Sequence, residues 1–142
     1  CPIVHFEEDG NCIEIGECTT MEPHCLLAAV GGKRIILGKD CMLSNQINLR
    51  TTDSHSILDN DGERLNPEAD IIIGDHVWLG FQSLILKGTR IPDNCIVGAR
   101  TMVTASLKAE SNDLIAGSPA KVIKKNLYWQ RERAKGKQMV ST

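Results

Sequence analysis

The sequence predicts an all-β fold, a triangular solenoid of short stacked strands, and three observations point there. Aliphatic residues recur every six positions along most of the chain. A glycine follows the aliphatic position in several repeats, as at Gly74, Gly80 and Gly98. Aromatic residues make up only 4% of the 142 residues, so the core must be built from Ile, Leu and Val in narrow layers.

The beat is clearest from Ile73, where the chain divides into IGDHVW, LGFQSL, ILKGTR, IPDNCI, VGARTM and VTASLK. The leaders Ile73, Leu79, Ile85, Ile91, Val97 and Val103 are all aliphatic. Ile, Leu and Val are about a quarter of the chain, too few to give six hits in a row by chance. The same spacing links Ile15, Met21 and Leu27, and then Leu37, Leu43 and Leu49. Gly31 and Gly32 between these sets mark a turn. A period of six fits neither an α-helix nor a coiled coil. It fits a coil of three flat sides, one hexapeptide to a side, with the leader turned inward. Successive coils stack about 4.8 Å apart as parallel strands. Each buries its leaders only against its neighbours. An antiparallel sandwich would show a period of two. The parse gives one domain, with coils over about 13–108, an extruded loop at 51–70, and a cap with a short helix over 112–137.

The net charge of −2 calls for no nucleic acid. No apolar run approaches the roughly 20 residues of a membrane span. No signal-peptide pattern opens the chain, and Cys at position 1 suggests a piece of a longer protein. Of the six cysteines, Cys25, Cys41 and Cys95 stand at the fifth place of a hexapeptide, which wants a small apolar group. They read as buried thiols in a reducing compartment, which points to the cytoplasm.

Four motifs, TTDSHSI, IIIGDHVWLG, VGARTMVTASL and AGSPAKVIKKNLYW, stand in this order across residues 13 to 130. Through them the chain resembles the hexapeptide-repeat acyltransferases. The DSHSI, GDHVWLG and NLYW segments are similar to bacterial O-acetyltransferases of capsule, sialic acid or lipopolysaccharide sugars. Maltose and galactoside acetyltransferases are a more distant alternative. The resemblance implies a left-handed parallel β-helix, acetyl-coenzyme A as co-substrate and a sugar or polysaccharide hydroxyl as acceptor. It also implies a homotrimer with its sites in the clefts between prisms, and no metal.

Moving an acetyl group from a thioester to an alcohol needs a base for the hydroxyl proton and a donor for the oxyanion. Histidine is the natural base near neutral pH. The resemblance gives that part to His55, in the 51–70 insertion. Asp53, two residues earlier, lies on the same side of an extended segment and is a candidate to orient the ring. His76, fourth in its hexapeptide, is the competing base and reads as a surface or interface residue. The resemblance places Trp78 in the active site, where an indole N–H can donate. It also implies that Gly80, Phe81, Ala99 and Thr104 hold the pantetheine arm, with Lys121 and Lys124 near the phosphates. Phe81 and Ala105 depart from the family pattern, which has a small or polar residue and a lysine at these places.

The end of the chain is basic, with Lys121, Lys124, Lys125, Arg131, Arg133, Lys135 and Lys137 against Glu132. Residues 123–135 read as a helix with Leu127 and Tyr128 as packing residues. It is short and lacks interleaved aromatics, so it reads as a solvated cap with, at most, a weak attraction to membrane surfaces. A zinc hydratase on the same coil needs His-x4-His, and Phe81 stands where the second histidine would follow His76. A non-catalytic scaffold would need neither the His55 insertion nor the basic PAKVIK segment.

Overall fold

The computed structural model describes residues 3–137. Strand β1 (Ile3–Glu7) is followed by four three-sided coils. They are β2 (Cys12–Ile15), β3 (Thr20–Met21) and β4 (Leu26–Val30); then β5 (Arg34–Leu37), β6 (Met42–Leu43) and β7 (Asn48–Arg50). Next come β8 (Ile71–Ile73), β9 (Trp78–Leu79) and β10 (Leu84–Ile85), and then β11 (Arg90–Ile91), β12 (Ile96–Val97) and β13 (Met102–Val103). Strands β14 (Leu114–Gly117) and β15 (Ala120–Lys124) close the solenoid.

The strands make three faces. One is five-stranded, β1-β4-β7-β10-β13; one is four-stranded, β11-β8-β5-β2; one is six-stranded, β15-β14-β12-β9-β6-β3. All pairings are parallel except β14 with β15. The chain passes from the four-stranded face to the six-stranded, then to the five-stranded.

The register lines up the leaders. Leu43, Leu79, Val97 and Ile115 stack on the six-stranded face, and Leu27, Leu49, Ile85 and Val103 on the five-stranded one. All eight are buried. Each contributes about 1.5–3 kcal/mol on burial. Ile15 is the exception at 46% exposed, because its strand β2 ends the four-stranded face. The beat also runs one repeat past Val103, through Ala109 against the core to Ile115.

Corners repeat as regularly as sides. The fourth residue of most hexapeptides takes a left-handed conformation: Cys18, Asp40, His76, Asn94 and Asn112 at one corner, His24, Gln46, Gln82 and Arg100 at the next. Aspartates stitch corners of adjacent coils. Asp75 Oδ1 accepts from the Lys39 N–H at 2.8 Å, and Asp93 Oδ1 from the Asp75 N–H at 2.7 Å. Cys25, Cys41 and Cys95 are fully buried free thiols, each hydrogen-bonded to a backbone carbonyl. Burial pushes all three thiols up.

Two details differ from the sequence expectation. The 51–70 insertion is not an open loop. Its mouth is closed by Ala69 N–H to the Thr51 carbonyl at 3.1 Å, and Thr51, Thr52 and Asn66 are buried. Beyond the mouth it folds into a small hairpin, with Leu58 bridged to Arg64. Closing the mouth is what lets β8 rejoin β5 in phase.

The second correction is the C-terminal helix: no helix is present among the described residues. The chain instead turns back as β15 against β14, and Asn126 then takes a left-handed φ of 60°. Pairing with an exposed sheet edge and the burial of one ring outweigh the helical propensity of this stretch. That ring belongs to Trp129, 9% exposed, whereas Tyr128 points outward at 55% and Leu127 is half-buried.

Candidate functional site

The insertion leaves the prism where the five-stranded face meets the four-stranded one, so His55 stands at that vertex. Its side chain is exposed. Ser54, just before it, has a left-handed φ of 70°, and its N–H bonds to Thr52 Oγ1 at 3.0 Å. This tight turn aims the next residue away from the prism.

Asp53 does not serve the ring. Its Oδ2 accepts from Lys87 Nζ at 2.6 Å and from Asn66 Nδ2 at 2.9 Å. These two partners, Lys87 first, hold its carboxyl below the ordinary value. On the far arm, Arg64 and Glu68 form a two-bond pair, and Glu68 also accepts from Thr52. Hydrogen bonding to Arg64 is the main reason the Glu68 carboxyl is lowered to about 2.

A shallow groove of about 610 Å³ lies along the five-stranded face and its corner with the six-stranded one. His24, Gln46, Gln82 and Arg100 line its corner side, Leu84 and Met102 its floor. Gly80, Phe81 and Ala99 belong to the same corner, and Thr104 follows β13 at the opposite rim. Gly80 allows a close stack: a Cβ there would stand 2.6 Å from the Val97 carbonyl oxygen. Ser118 lines the end of the groove, in the turn that leads into β15 with its exposed Lys121 and Lys124. No acid pairs with either lysine among the described residues. A second recess, about 200 Å³, lies on the same face against Arg50, Thr52 and Ser54, next to His55.

Trp78 faces outward on the six-stranded face, opposite the His55 vertex, so one chain does not bring the two together. Its indole N–H donates to Ser44 Oγ at 3.1 Å, and its ring lies 6.1 Å from Trp129. His76 is locked nearby. Nδ1 lies 2.8 Å from Asp40 Oδ2, Nε2 lies 3.1 Å from the Trp129 carbonyl oxygen, and the ring stacks on Trp129. Both ring nitrogens of His76 are engaged by partners within the chain. Its bond to Asp40 is the chief cause of that carboxyl's lowered pKa, with Arg131 adding to it.

Sequence reasoning missed Lys87 and Asn66, which carried no signal, and read Trp129 only as the last residue of the NLYW segment, giving the packing role to Leu127 and Tyr128 instead. His24 was passed over, yet it lines the groove. Among the described residues no cluster of His, Cys, Asp or Glu could hold a metal ion, and no helix is long and apolar enough to cross a membrane.

The family described as hexapeptide repeat of succinyl-transferase matches residues 70–105. A polysialic acid O-acetyltransferase of Neisseria meningitidis is 47% identical over 121 residues, which is 84% of this chain and 55% of that protein. The solved polysialic acid O-acetyltransferase OatWY superposes with a TM-score of 0.88 at 39% identity, over 96% of this chain and 64% of that one. A galactoside acetyltransferase solved in complex with coenzyme A shares the fold, with a TM-score of 0.65 at 21% identity over 94% of this chain and 72% of its own. The solenoid is therefore the left-handed parallel β-helix. The chain spans little more than half the length of the Neisseria relative.

Proposed function

The chain belongs to the hexapeptide-repeat acyltransferases, and on that premise we propose that it transfers an acetyl group from acetyl-coenzyme A to a hydroxyl of a sugar or surface polysaccharide. The observation that carries this reading is the exposed His55 imidazole, held on a closed arm beside the grooved five-stranded face.

The donor fits the residues present. The groove is long and shallow, its corner carries Gly80, Phe81 and Ala99, its rim carries Thr104, and it ends near Lys121 and Lys124. The two ammonium groups suit phosphates. Bound acetyl-coenzyme A supplies the activated acetyl group. His55 takes the proton of the acceptor hydroxyl as it attacks. The acceptor lies in the recess beside Ser54, where the Arg50 guanidinium suits a sugar carboxylate, while the Glu7 carboxylate on the facing strand β1, 3.1 Å from His5 Nε2, can accept from sugar hydroxyls.

The site is shared between copies in a homotrimer. His55 and Trp78 stand on opposite sides of one prism, and a head-to-tail contact that closes after three copies brings the vertex of one to the six-stranded face of the next. There Trp78 lines the cleft. Buried free thiols suit a reducing compartment, the cytoplasm.

The test is release of coenzyme A thiol from acetyl-coenzyme A, read across sialosides, neutral hexoses, amino sugars and capsule oligosaccharides. Acidic acceptors should be preferred, and Arg50→Ala should erase the preference. His55→Ala should lose about 10²–10⁴-fold in kcat with its fold intact. Mixing unfolded His55→Ala and Trp78→Ala chains and refolding them together should recover part of the activity. Normal turnover by His55→Ala would overturn the base, and no recovery on mixing would overturn the shared site.

A further inference from the structure

The side chain of Asn66 ties three points of the arm that carries His55. Its Oδ1 accepts from the Ile57 N–H at 2.7 Å. Its Nδ2 donates to the His55 carbonyl at 2.9 Å and to Asp53 Oδ2 at 2.9 Å. The chemistry fixes the amide's orientation, because a reversed amide would set donor against donor at Ile57 and acceptor against acceptor at His55. At 8% exposure, water offers these groups little in exchange.

The arm turns at Ser54 and runs on without strand partners of its own, so one amide bonds the main chain at residues 55 and 57 where a neighbouring strand would do so elsewhere in the prism. Among the described residues nothing else bonds the Ile57 N–H or the His55 carbonyl. Asp53 then anchors the clamp to the solenoid through Lys87, which stands at the corner after β10. The result is a continuous chain of bonds, Lys87 to Asp53 to Asn66 to the His55 backbone, from a rigid coil to an otherwise exposed ring.

We infer that Asn66 is a positioning residue for the transfer: it fixes where the His55 ring stands without touching either substrate. This rests on His55 being the base. A displacement of about 1 Å at such a group costs on the order of a hundredfold in rate. The side chain of Asn66 is turned into its own arm, away from the donor groove, so binding of acetyl-coenzyme A should not sense it.

The experiment compares wild type, Asn66→Asp, Lys87→Met, His55→Ala and the His55→Ala/Asn66→Asp double variant in steady-state acetyl transfer, with melting curves for each. Asn66→Asp keeps the shape and the acceptor for Ile57 but removes both donors and sets a second carboxylate against Asp53. Its kcat should fall roughly tenfold to a hundredfold with KM for acetyl-coenzyme A unchanged. Lys87→Met loosens the same clamp from the prism side and should lower kcat less, with the same unchanged KM. The double variant should be no slower than His55→Ala alone, because a residue acting through His55 has nothing to act on once the ring is gone. Unchanged kcat in Asn66→Asp and Lys87→Met, or a rise in KM for acetyl-coenzyme A matching the loss, overturns the inference while leaving the base in place. So does a further loss in the double variant. Should Asn66→Asp melt early, Lys87→Met decides alone. Normal turnover by His55→Ala overturns the base itself, a separate result.

Discussion

Trp129 lies flat on His76, ring centroids 3.9 Å apart and planes 6° from parallel, and the two exchange hydrogen bonds. The indole N–H donates to the His76 carbonyl at 2.9 Å, while His76 Nε2 meets the Trp129 carbonyl at 3.1 Å. Two residues later, Arg131 bonds Asp40, Thr20 and the carbonyls of Cys18 and Cys41. The segment after β15 is thus a strap drawn across the corners of three coils.

Removing one end of this strap should cost stability and leave the chemistry alone. His76→Ala loses a stacked pair and two hydrogen bonds, about 1–3 kcal/mol. A thermal melt should show the loss, while kcat stays within a few-fold of wild type. A folded His76→Ala that cannot turn over, beside an active His55→Ala, would exchange the two roles.

Close stacking of coils predicts that some glycines admit no side chain. A Cβ on Gly38 would run into the Gly74 carbonyl oxygen and Asp75 Oδ1, the acceptor that holds the Lys39 N–H. Gly38→Ala should therefore destabilise by about 1–3 kcal/mol or more, as overpacking does. Gly98→Ala, whose Cβ would meet nothing nearer than 3.4 Å, is the control and should melt close to wild type.

Acid should release the hairpin before it releases the prism. The Glu68 carboxyl, lowered from 4.5 to about 2 by Arg64, contributes stability above 4.5 that is lost as pH falls towards 2. Asp53 is lowered too, so its bond to Lys87 weakens in the same direction. Pepsin, active in acid, should spare the exposed Ile57, Leu58 and Leu65 of wild type near pH 4.5 and cut there as pH approaches 2. Glu68→Gln should be cut already at the upper end.

Lys121 and Lys124 should govern donor affinity and nothing else. Replacing both by Ala should raise KM for acetyl-coenzyme A by about tenfold, or 1.4 kcal/mol, with kcat nearly unchanged. Added salt should shrink the gap between variant and wild type. An unchanged KM would place the phosphates elsewhere.

The prism was legible in the sequence because its rule is local. Every hexapeptide from Ile73 to Val103 carries its own leader, and all six leaders are buried. Even the corners follow from place, since the fourth residue turns whether it is His, Gln, Asn or Arg. What escaped notice depends on partners far along the chain. His76 meets Trp129 across 53 positions, and Lys87 meets Asp53 across 34. No spacing rule reports such pairs. The basic run after Lys121 misled for the same reason: its residues favour a helix locally, but β14 offered an edge and His76 a ring. His55 was found only through a motif, and the structure adds the arm that holds it.

The three hidden sulfurs give the molecule a built-in record of how it comes apart. Cys25 belongs to the first coil, Cys41 to the second and Cys95 to the fourth. A thiol-reactive dye cannot reach any of them until its own coil peels away, whereas exposed Cys18 reacts at once. Since a stack of repeats holds together only through adjacent layers, the order in which the three sulfurs take up dye would show from which end the stack frays.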